Sequence, residues 1–163
     1  EKNLLLPKKH KMKILGIGNA IVDVICKVSD SFIDQNNLTK STMKLFFDEN
    51  EFKNLLTNLK IEKTISGGSV ANSIVGLSQL GDKVGFIGKI SDDNFGNKYE
   101  EGLKKENVEY FYSKKKEELP TGTCLILVTP DSERTMCTFL GTAGKINESD
   151  VSSEAIKKSE IIF

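Results

Sequence analysis

The sequence has one histidine, three cysteines, no tryptophan and no long apolar run. Each shortage excludes some chemistry. His10, the single histidine, lies in a basic head segment outside any periodic pattern. A Ser-His-Asp or Cys-His site needs an imidazole held against its nucleophile, so neither is expected. A multi-histidine metal centre is impossible in a chain with one histidine. Cys26, Cys124 and Cys137 show no C-x-x-C spacing and stand among apolar or β-branched neighbours. They read as small buried hydrophobes of a reducing, cytoplasmic compartment. No stretch approaches the roughly 18 apolar residues of a membrane span. The 23 Lys and Arg balance 23 Asp and Glu, which removes any general attraction to nucleic acid or anionic lipid. What is present is an ordinary globular balance, 38% hydrophobic and 28% charged over 163 residues, enough for one domain.

Residues 1–11 (EKNLLLPKKHK) do not read as folded structure. Leu4 to Leu6 is too short for a signal-peptide core, and no small-residue cleavage site follows. A strand pattern begins at Met12. The expectation is a mobile head over 1–11, a native start at Met12 and one domain over 12–163. The sequence stops at Glu160-Ile-Ile-Phe163, inside a strand pattern. That predicts a longer protein whose sheet continues beyond Phe163.

Lys13 to Val28 is rich in Ile and Val and interrupted by Gly16 and Gly18, which predicts two strands joined by a bend or one bulged strand. A short helix over Asp30 to Asn37 and a strand over Thr42 to Phe47 follow. Phe52, Leu55, Leu56 and Leu59 recur at helical spacing after Asp48. Glu62 to Ile65 reads as a short strand, Ser69 to Leu80 as a helix stopped by Gly81, and Lys83 to Ile90 as a buried strand. Asp92-Asp93 caps a helix over Asn94 to Glu106. Val108 to Tyr112 is a strand, and Lys114 to Glu118 a solvated loop. Gly122 to Thr129 and Arg134 to Leu140 flank a Pro-Asp-Ser-Glu turn as a hairpin. A polar helix over Asp150 to Ser159 precedes the last strand. Alternating strands and helices predict an α/β parallel sheet. The hairpin and the strands near residues 24–47 predict an antiparallel accessory sheet.

Asp23 is the first informative residue. It interrupts the aliphatic run Ala20-Ile21-Val22-Asp23-Val24-Ile25, and a lone buried carboxylate costs several kcal/mol unless paired. Either internal amides or a basic group satisfy it, or it stands at a cleft to accept hydrogen bonds from ligand hydroxyls, each worth roughly 1.5–3 kcal/mol. Asn19, four residues earlier, would share its face on a strand. Second is Ser66-Gly67-Gly68-Ser69-Val70-Ala71-Asn72. Paired glycines between strand and helix allow close approach of a ligand, and the helix start favours electronegative groups. The plainer alternative is a tight turn capped by Ser69. Asp92 and Asp93 are adjacent at a helix start, so capping is favoured over metal binding. Arg134 is either an exposed edge residue or an always-charged fork for phosphate. No G-x-x-x-x-G-K-[ST] run exists, and Ile21 occupies the third glycine position of Gly16-x-Gly18-x-x-Ile21, which argues against a dinucleotide site and a Rossmann oxidoreductase.

Together these segments resemble the ribokinase-type (PfkB) family of carbohydrate and nucleoside kinases from Met12 to Phe163. The carriers are Gly18-Asn19-x-x-x-Asp23, Gly67-Gly68-Ser69-Val70-Ala71-Asn72, Leu80-Gly81, Val84-Gly85-Phe86-Ile87-Gly88-Lys89-Ile90-x-Asp92-Asp93-x-x-Gly96, and Thr121-Gly122-Thr123 leading into Arg134-Thr135-Met136. The resemblance implies a three-layer α/β/α fold with a small β-sheet lid, here truncated before its C-terminal half. It implies transfer of the ATP γ-phosphoryl group to a primary hydroxyl of a sugar or nucleoside, with Mg2+ as the accompanying ion. Asp23 and Asn19 would hold sugar hydroxyls, Gly67, Gly68 and Asn72 would frame the pocket, and Arg134 would approach the phosphate. The Asn19–Asp23 step and Thr121-Gly122-Thr123-Cys124 look more like the adenosine-kinase branch, in which Ser69 and Cys124 would border the nucleoside. The family's Gly-Ala-Gly-Asp run, which supplies the base and an anion hole, is absent, since Gly141-Thr142-Ala143-Gly144 is followed by Lys145. The base, most of the ATP site and the Mg2+ site are therefore expected beyond Phe163, and this segment alone is expected to be inactive. Some lids in the family pair between subunits, so a homodimer through the lid is one expectation for partners. A non-catalytic sugar- or nucleoside-binding module is the alternative reading.

Overall fold

The computed structural model describes residues 11–163. The expected mobile head, His10 included, lies outside the described residues apart from Lys11. Strand β1 (Met12–Ile17) opens the chain, followed by β2 (Ile21–Lys27), α1 (Asp30–Gln35), β3 (Met43–Phe46), α2 (Glu49–Thr57), β4 (Ile61–Gly67) and α3 (Ser69–Gln79). Then come β5 (Val84–Ile87), α4 (Asn94–Lys105), β6 (Glu109–Tyr110) and the hairpin β7 (Gly122–Val128) and β8 (Arg134–Phe139). Two 3-10 turns, Gly141–Lys145 and Glu148–Asp150, lead to α5 (Ser153–Lys158) and β9 (Ser159–Ile162).

The strands form two sheets. One is parallel, in the order β6-β5-β1-β9, and the other has the order β3-β8-β7-β2-β4. The parallel sheet is covered on both faces, as all-parallel sheets require. On one side Ile14 and Phe86 pack with Ile74 of α3 and Tyr99 and Leu103 of α4. On the other, Leu15 and Ile87 meet Ala155 of α5. This is the expected three-layer α/β/α arrangement. The second sheet is the lid. Its Val22, Val24, Leu125 and Leu127 share a core with Ile33 of α1 and Phe52 and Leu55 of α2. Leu125 and Leu127 are fully buried there, worth about 1.5–3 kcal/mol each. The opposite lid face carries Asp23, Ile25, Ile65 and Met136, with Ile65 and Met136 each 40% exposed.

The lid corrects the expectation of an antiparallel accessory sheet. The pairs β2–β4 and β7–β8 are antiparallel, but β2–β7 and β3–β8 are parallel. Parallel neighbours need a long crossover, and the whole of β4 to β6 lies between β2 and β7. Such long-range pairing leaves no local signal. The strand expected over Lys83 to Ile90 ends at Ile87, because Lys89 leaves the ladder to bind Asp150 (3.0 Å) and Glu117 (3.5 Å). That same pairing corrects the polar helix expected from Asp150. The Asp150 carboxylate accepts from Lys89 and from the Asn147 N–H (3.0 Å), and the helix starts at Ser153 with Ser152 as its cap.

The hairpin turn is built as its composition predicts. Ser132 has φ 68°, the Thr129 hydroxyl donates to Asp131 (2.6 Å), and Lys40 bridges Asp131 and Asp30 from β3's side of the lid. Hydrogen bonding from Lys40 lowers the Asp131 carboxyl to about 2 from 3.8. A depressed carboxyl stabilises the fold above its unfolded value and loses that contribution as pH falls toward its folded value. Lys40→Ala is therefore expected to lower the melting temperature slightly at pH 6, with the difference from wild type vanishing by about pH 2. Thermal melts across that range check it.

Candidate acceptor site

The site is built where β2 passes β4 and β7. Side chains alternate across a strand, so Val22, Val24 and Cys26 face the core while Ile21, Asp23 and Ile25 face the open side of the lid. Asp23 lies in register with Ile65 of β4 and Cys124 of β7. Two residues along β4, Gly67 is opposite Ile21. The Asp23 carboxylate leans over Gly67 so closely that a Cβ there would stand 2.3 Å from Asp23 Oδ2. Gly68 has φ +97°, and a Cβ on it would lie 2.4 Å from the Asn19 carbonyl oxygen. Only glycine fits either position without rearrangement.

Asp23 is half-buried. Among the described residues its carboxylate makes no hydrogen bond and no ion pair. Among the described residues no fully buried side-chain oxygen or nitrogen lacks a partner, so the Asp23 oxygens are reached by solvent. Desolvation raises its pKa above the ordinary carboxylate value, with no cation among the described residues to offset it. Burial also raises the Cys124 thiol, and the Asp23 charge adds to that effect, so Cys124 stays protonated. The Thr138 hydroxyl donates to its Sγ at 3.3 Å. All three cysteines are free and buried.

The remaining candidates fall around this corner in different ways. Asn19 lies in the bend between β1 and β2 instead of on a strand, so the shared-face argument does not hold. It is its backbone carbonyl that approaches Gly68. Ser69 is exposed and is the first helical residue of α3, while Gly68 is the cap and offers no side chain. The alternative of a Ser69-capped turn is corrected accordingly. The amides opening α3 therefore have no side-chain cap competing for them. Asn72, exposed in the first turn, lines a cleft of about 570 Å³ along the outer edge of β4 with Ser66, Lys98 and Gly102. Arg134 is exposed and opens β8 opposite Val128, beside Lys27. That is four residues along the sheet from the Asp23–Cys124 level, about 13 Å, so Arg134 is not brought to the corner.

Asp93 caps α4, as its position predicts, accepting from Gly96 N–H at 2.8 Å. Sequence reasoning missed its second task. The same carboxylate accepts from the Thr121 N–H and hydroxyl, both at 2.8 Å, which ties the start of β7 to α4. Asp92 is exposed and caps nothing. Lys89 was also missed. A lysine within GKI carries no local sign that Asp150, 61 residues on, will bury it. Among the described residues no three His, Cys, Asp or Glu side chains gather as metal ligands, and no described helix is long and apolar enough to cross a membrane.

A parallel sheet under a β-sheet lid, with a solvent-reached carboxylate at a diglycine corner between them, defines a ribokinase-like fold. The chain belongs to the pfkB family of carbohydrate kinases, whose model matches residues 14–163. It is similar to the adenosine kinase of Sinorhizobium meliloti, with 31% identity and a TM-score of 0.82 over 93% of this chain and 46% of that one. A probable sugar kinase from Rhizobium etli CFN 42 superposes equally well, at 30% identity and a TM-score of 0.82 over 94% of this chain and 46% of that one. In sequence it is 30% identical over 118 residues to a 5-dehydro-2-deoxygluconokinase of Mesomycoplasma hyopneumoniae (strain 232), covering 71% of this chain and 35% of that protein. The chain thus spans about a third of that relative's length and just under half of the two structures.

Two variants separate the corner's cost from its use. Asp23→Asn removes a desolvated charge, so its melting temperature is expected to equal or exceed wild type at pH 7. The sign follows from the raised pKa, because ionising Asp23 costs more in the folded than in the unfolded chain. Gly67→Ala drives a methyl into that carboxylate and is expected to destabilise by about 1–3 kcal/mol in denaturant melts.

Proposed function

We propose that the full-length protein is a kinase that transfers the γ-phosphoryl group of ATP to a primary hydroxyl of a sugar or nucleoside, and that this segment carries the acceptor pocket. The observation that carries this reading is the unpartnered Asp23 carboxylate resting on Gly67. A carboxylate kept half-buried without an internal partner has capacity for two or more donors, and acceptor hydroxyls supply them at roughly 1.5–3 kcal/mol each. Gly67 and Gly68 let the acceptor come within reach of backbone amides. Asn19 and Ser69 stand at the bend and the helix start beside it, whereas Asn72 faces the separate cleft along β4. Positioning of this kind, with charge stabilisation, supplies most of the acceleration in phosphoryl transfer.

The adenosine-like acceptor is favoured over ribose or fructose. Support comes from the lid face beside Asp23, where Cys124, Ile25, Ile126 and Met136 make an apolar strip. A nucleobase would use such a strip, and a free sugar would not. The structural likeness to an adenosine kinase points the same way, while the sequence likeness to a sugar-acid kinase keeps carbohydrate acceptors in the test. Arg134, at the far end of the lid, would meet phosphate only on lid closure. We assign ATP, its divalent cation and the catalytic base to the rest of the protein, because the 163 residues contain neither a Gly-Ala-Gly-Asp run nor, among those described, a cluster of metal ligands. The free, buried thiols support a cytoplasmic setting.

A phosphoryl-transfer screen of the full-length protein against adenosine, ribose, fructose and 5-dehydro-2-deoxygluconate tests the reading. Adenosine is expected to be turned over best, and turnover of none of the four would overturn it in favour of a binding module. Asp23→Asn should raise KM for the acceptor by about 100-fold, two lost charge-assisted bonds, while KM for ATP changes less than about twofold. The 163-residue chain alone is expected to show no steady-state turnover.

A further inference from the structure

Behind the corner lies a feature that its acceptor role does not account for. Phe86, Tyr99 and Tyr110 form a buried aromatic group, with Tyr99 edge-on to Tyr110 at 6.1 Å and Phe86 stacked on Tyr110 at 6.4 Å. Tyr99 and Phe86 are fully buried. Hydrophobic packing alone would be met by phenylalanine at all three positions. Two of the rings instead carry hydroxyls, and both hydroxyls donate to glycine carbonyls. Tyr99 OH donates to Gly67 O at 3.2 Å, and Tyr110 OH donates to Gly88 O. Tyr99 is held in return, since its own carbonyl accepts from Ser66 Oγ at 2.9 Å.

The two glycines flank one loop. Gly67 precedes Gly68, which sits against the Asn19 carbonyl. Gly88 follows Ile87, whose carbonyl accepts from Gly18 N–H at 3.1 Å. The bend Gly18-Asn19 is thus enclosed between the two peptides that the tyrosines hold. We infer that Tyr99 and Tyr110 are positioning residues for the acceptor pocket, fixing from behind the peptide planes of Gly67–Gly68 and Gly88–Lys89. The Gly67 carbonyl and the Gly68 N–H belong to one planar unit, so holding the first aims the second. Neither glycine has a side chain whose packing could do this. Burial raises both phenols far above neutrality, so they remain donors throughout the physiological range.

This inference rests on the acceptor reading of the Asp23 corner, and its test separates the two. Tyr99→Phe and Tyr110→Phe are made in the full-length protein, with Asp23→Asn as reference. KM for each acceptor and for ATP is measured, together with calorimetric Kd for adenosine. Tyr99→Phe is expected to weaken acceptor KM and Kd about fivefold, the loss of one hydrogen bond's worth of alignment, and Tyr110→Phe about two- to fivefold. KM for ATP should change less than about twofold in both. A structural role alone would lower the melting temperature and leave this split absent. Unchanged acceptor constants in both variants, or equal rises for acceptor and ATP, would overturn the inference. Should Tyr99→Phe show no cooperative melt, Tyr110→Phe alone decides by the same criterion. If Asp23→Asn weakens acceptor binding and the tyrosine variants do not, only the positioning role fails. If Asp23→Asn has no effect, the acceptor reading fails and this inference with it.

Discussion

The contact between the Asp23 carboxylate and the bare α-carbon of Gly67 is the constraint around which this molecule is arranged. It is an unfavourable contact if nothing is bound. The carboxylate is partly stripped of water, its proton affinity rises, and no lysine or arginine among the described residues is placed to pair with it. Lys63 is near in sequence register, opposite Ile25, yet the two form no ion pair. Proteins usually neutralise such a group or surround it with donors. Here the glycine keeps the space open instead of filling it, which is the expected state of a site whose donors arrive with a ligand.

Why the corner falls where it does follows from the chain's path between its two sheets. The chain passes from the parallel sheet to the lid at residues 18–20, returns at Gly68, enters the lid again at Thr121 and leaves it near Gly141. These crossings touch one another. Gly68 abuts the Asn19 carbonyl, and Thr142 N–H donates to Pro120 O at 2.9 Å. Asp93 binds Thr121 while capping α4. Crossings are irregular backbone, with amides and carbonyls not claimed by a ladder. They also lie at the carboxyl ends of β1 and β5, where open α/β sheets place their ligands. A site made of glycines and loop amides could form only at such a seam.

How much of this was legible in the sequence depends on how local each signal is. Asp23 stood out because a charge in an aliphatic strand is a conflict visible within six residues. The diglycine corner, the helix at Asn94 and the hairpin turn at 130–133 were likewise written in adjacent residues, and Asp93 caps its helix as its type predicts. The parallel lid pairings were not, because β2 meets β7 only after most of the chain has intervened. Asn19 was misplaced because a period-two argument was carried two residues ahead of the strand's start at Ile21. Tyr99 and Tyr110 occupy apolar positions of a helix and a strand, so patterning reads them as core, which they also are. Their hydroxyls matter only once the fold brings Gly67 and Gly88 beside them.

That last point bears on how a pocket of glycines can be specific at all. Gly67 and Gly68 give the acceptor room, but residues without side chains have the widest choice of backbone conformation, and the charge beside them repels its own surroundings. Order must then come from outside the pocket. The aromatic group supplies it at low entropic cost, since a tyrosine ring has few rotamers and its hydroxyl can reach a carbonyl without bringing a charge near Asp23. A lysine or arginine in the same place would bind the carbonyl as well, but it would also pair with Asp23 and remove the property that makes the corner useful. Neutral donors behind and an unpaired acceptor in front are therefore parts of one arrangement.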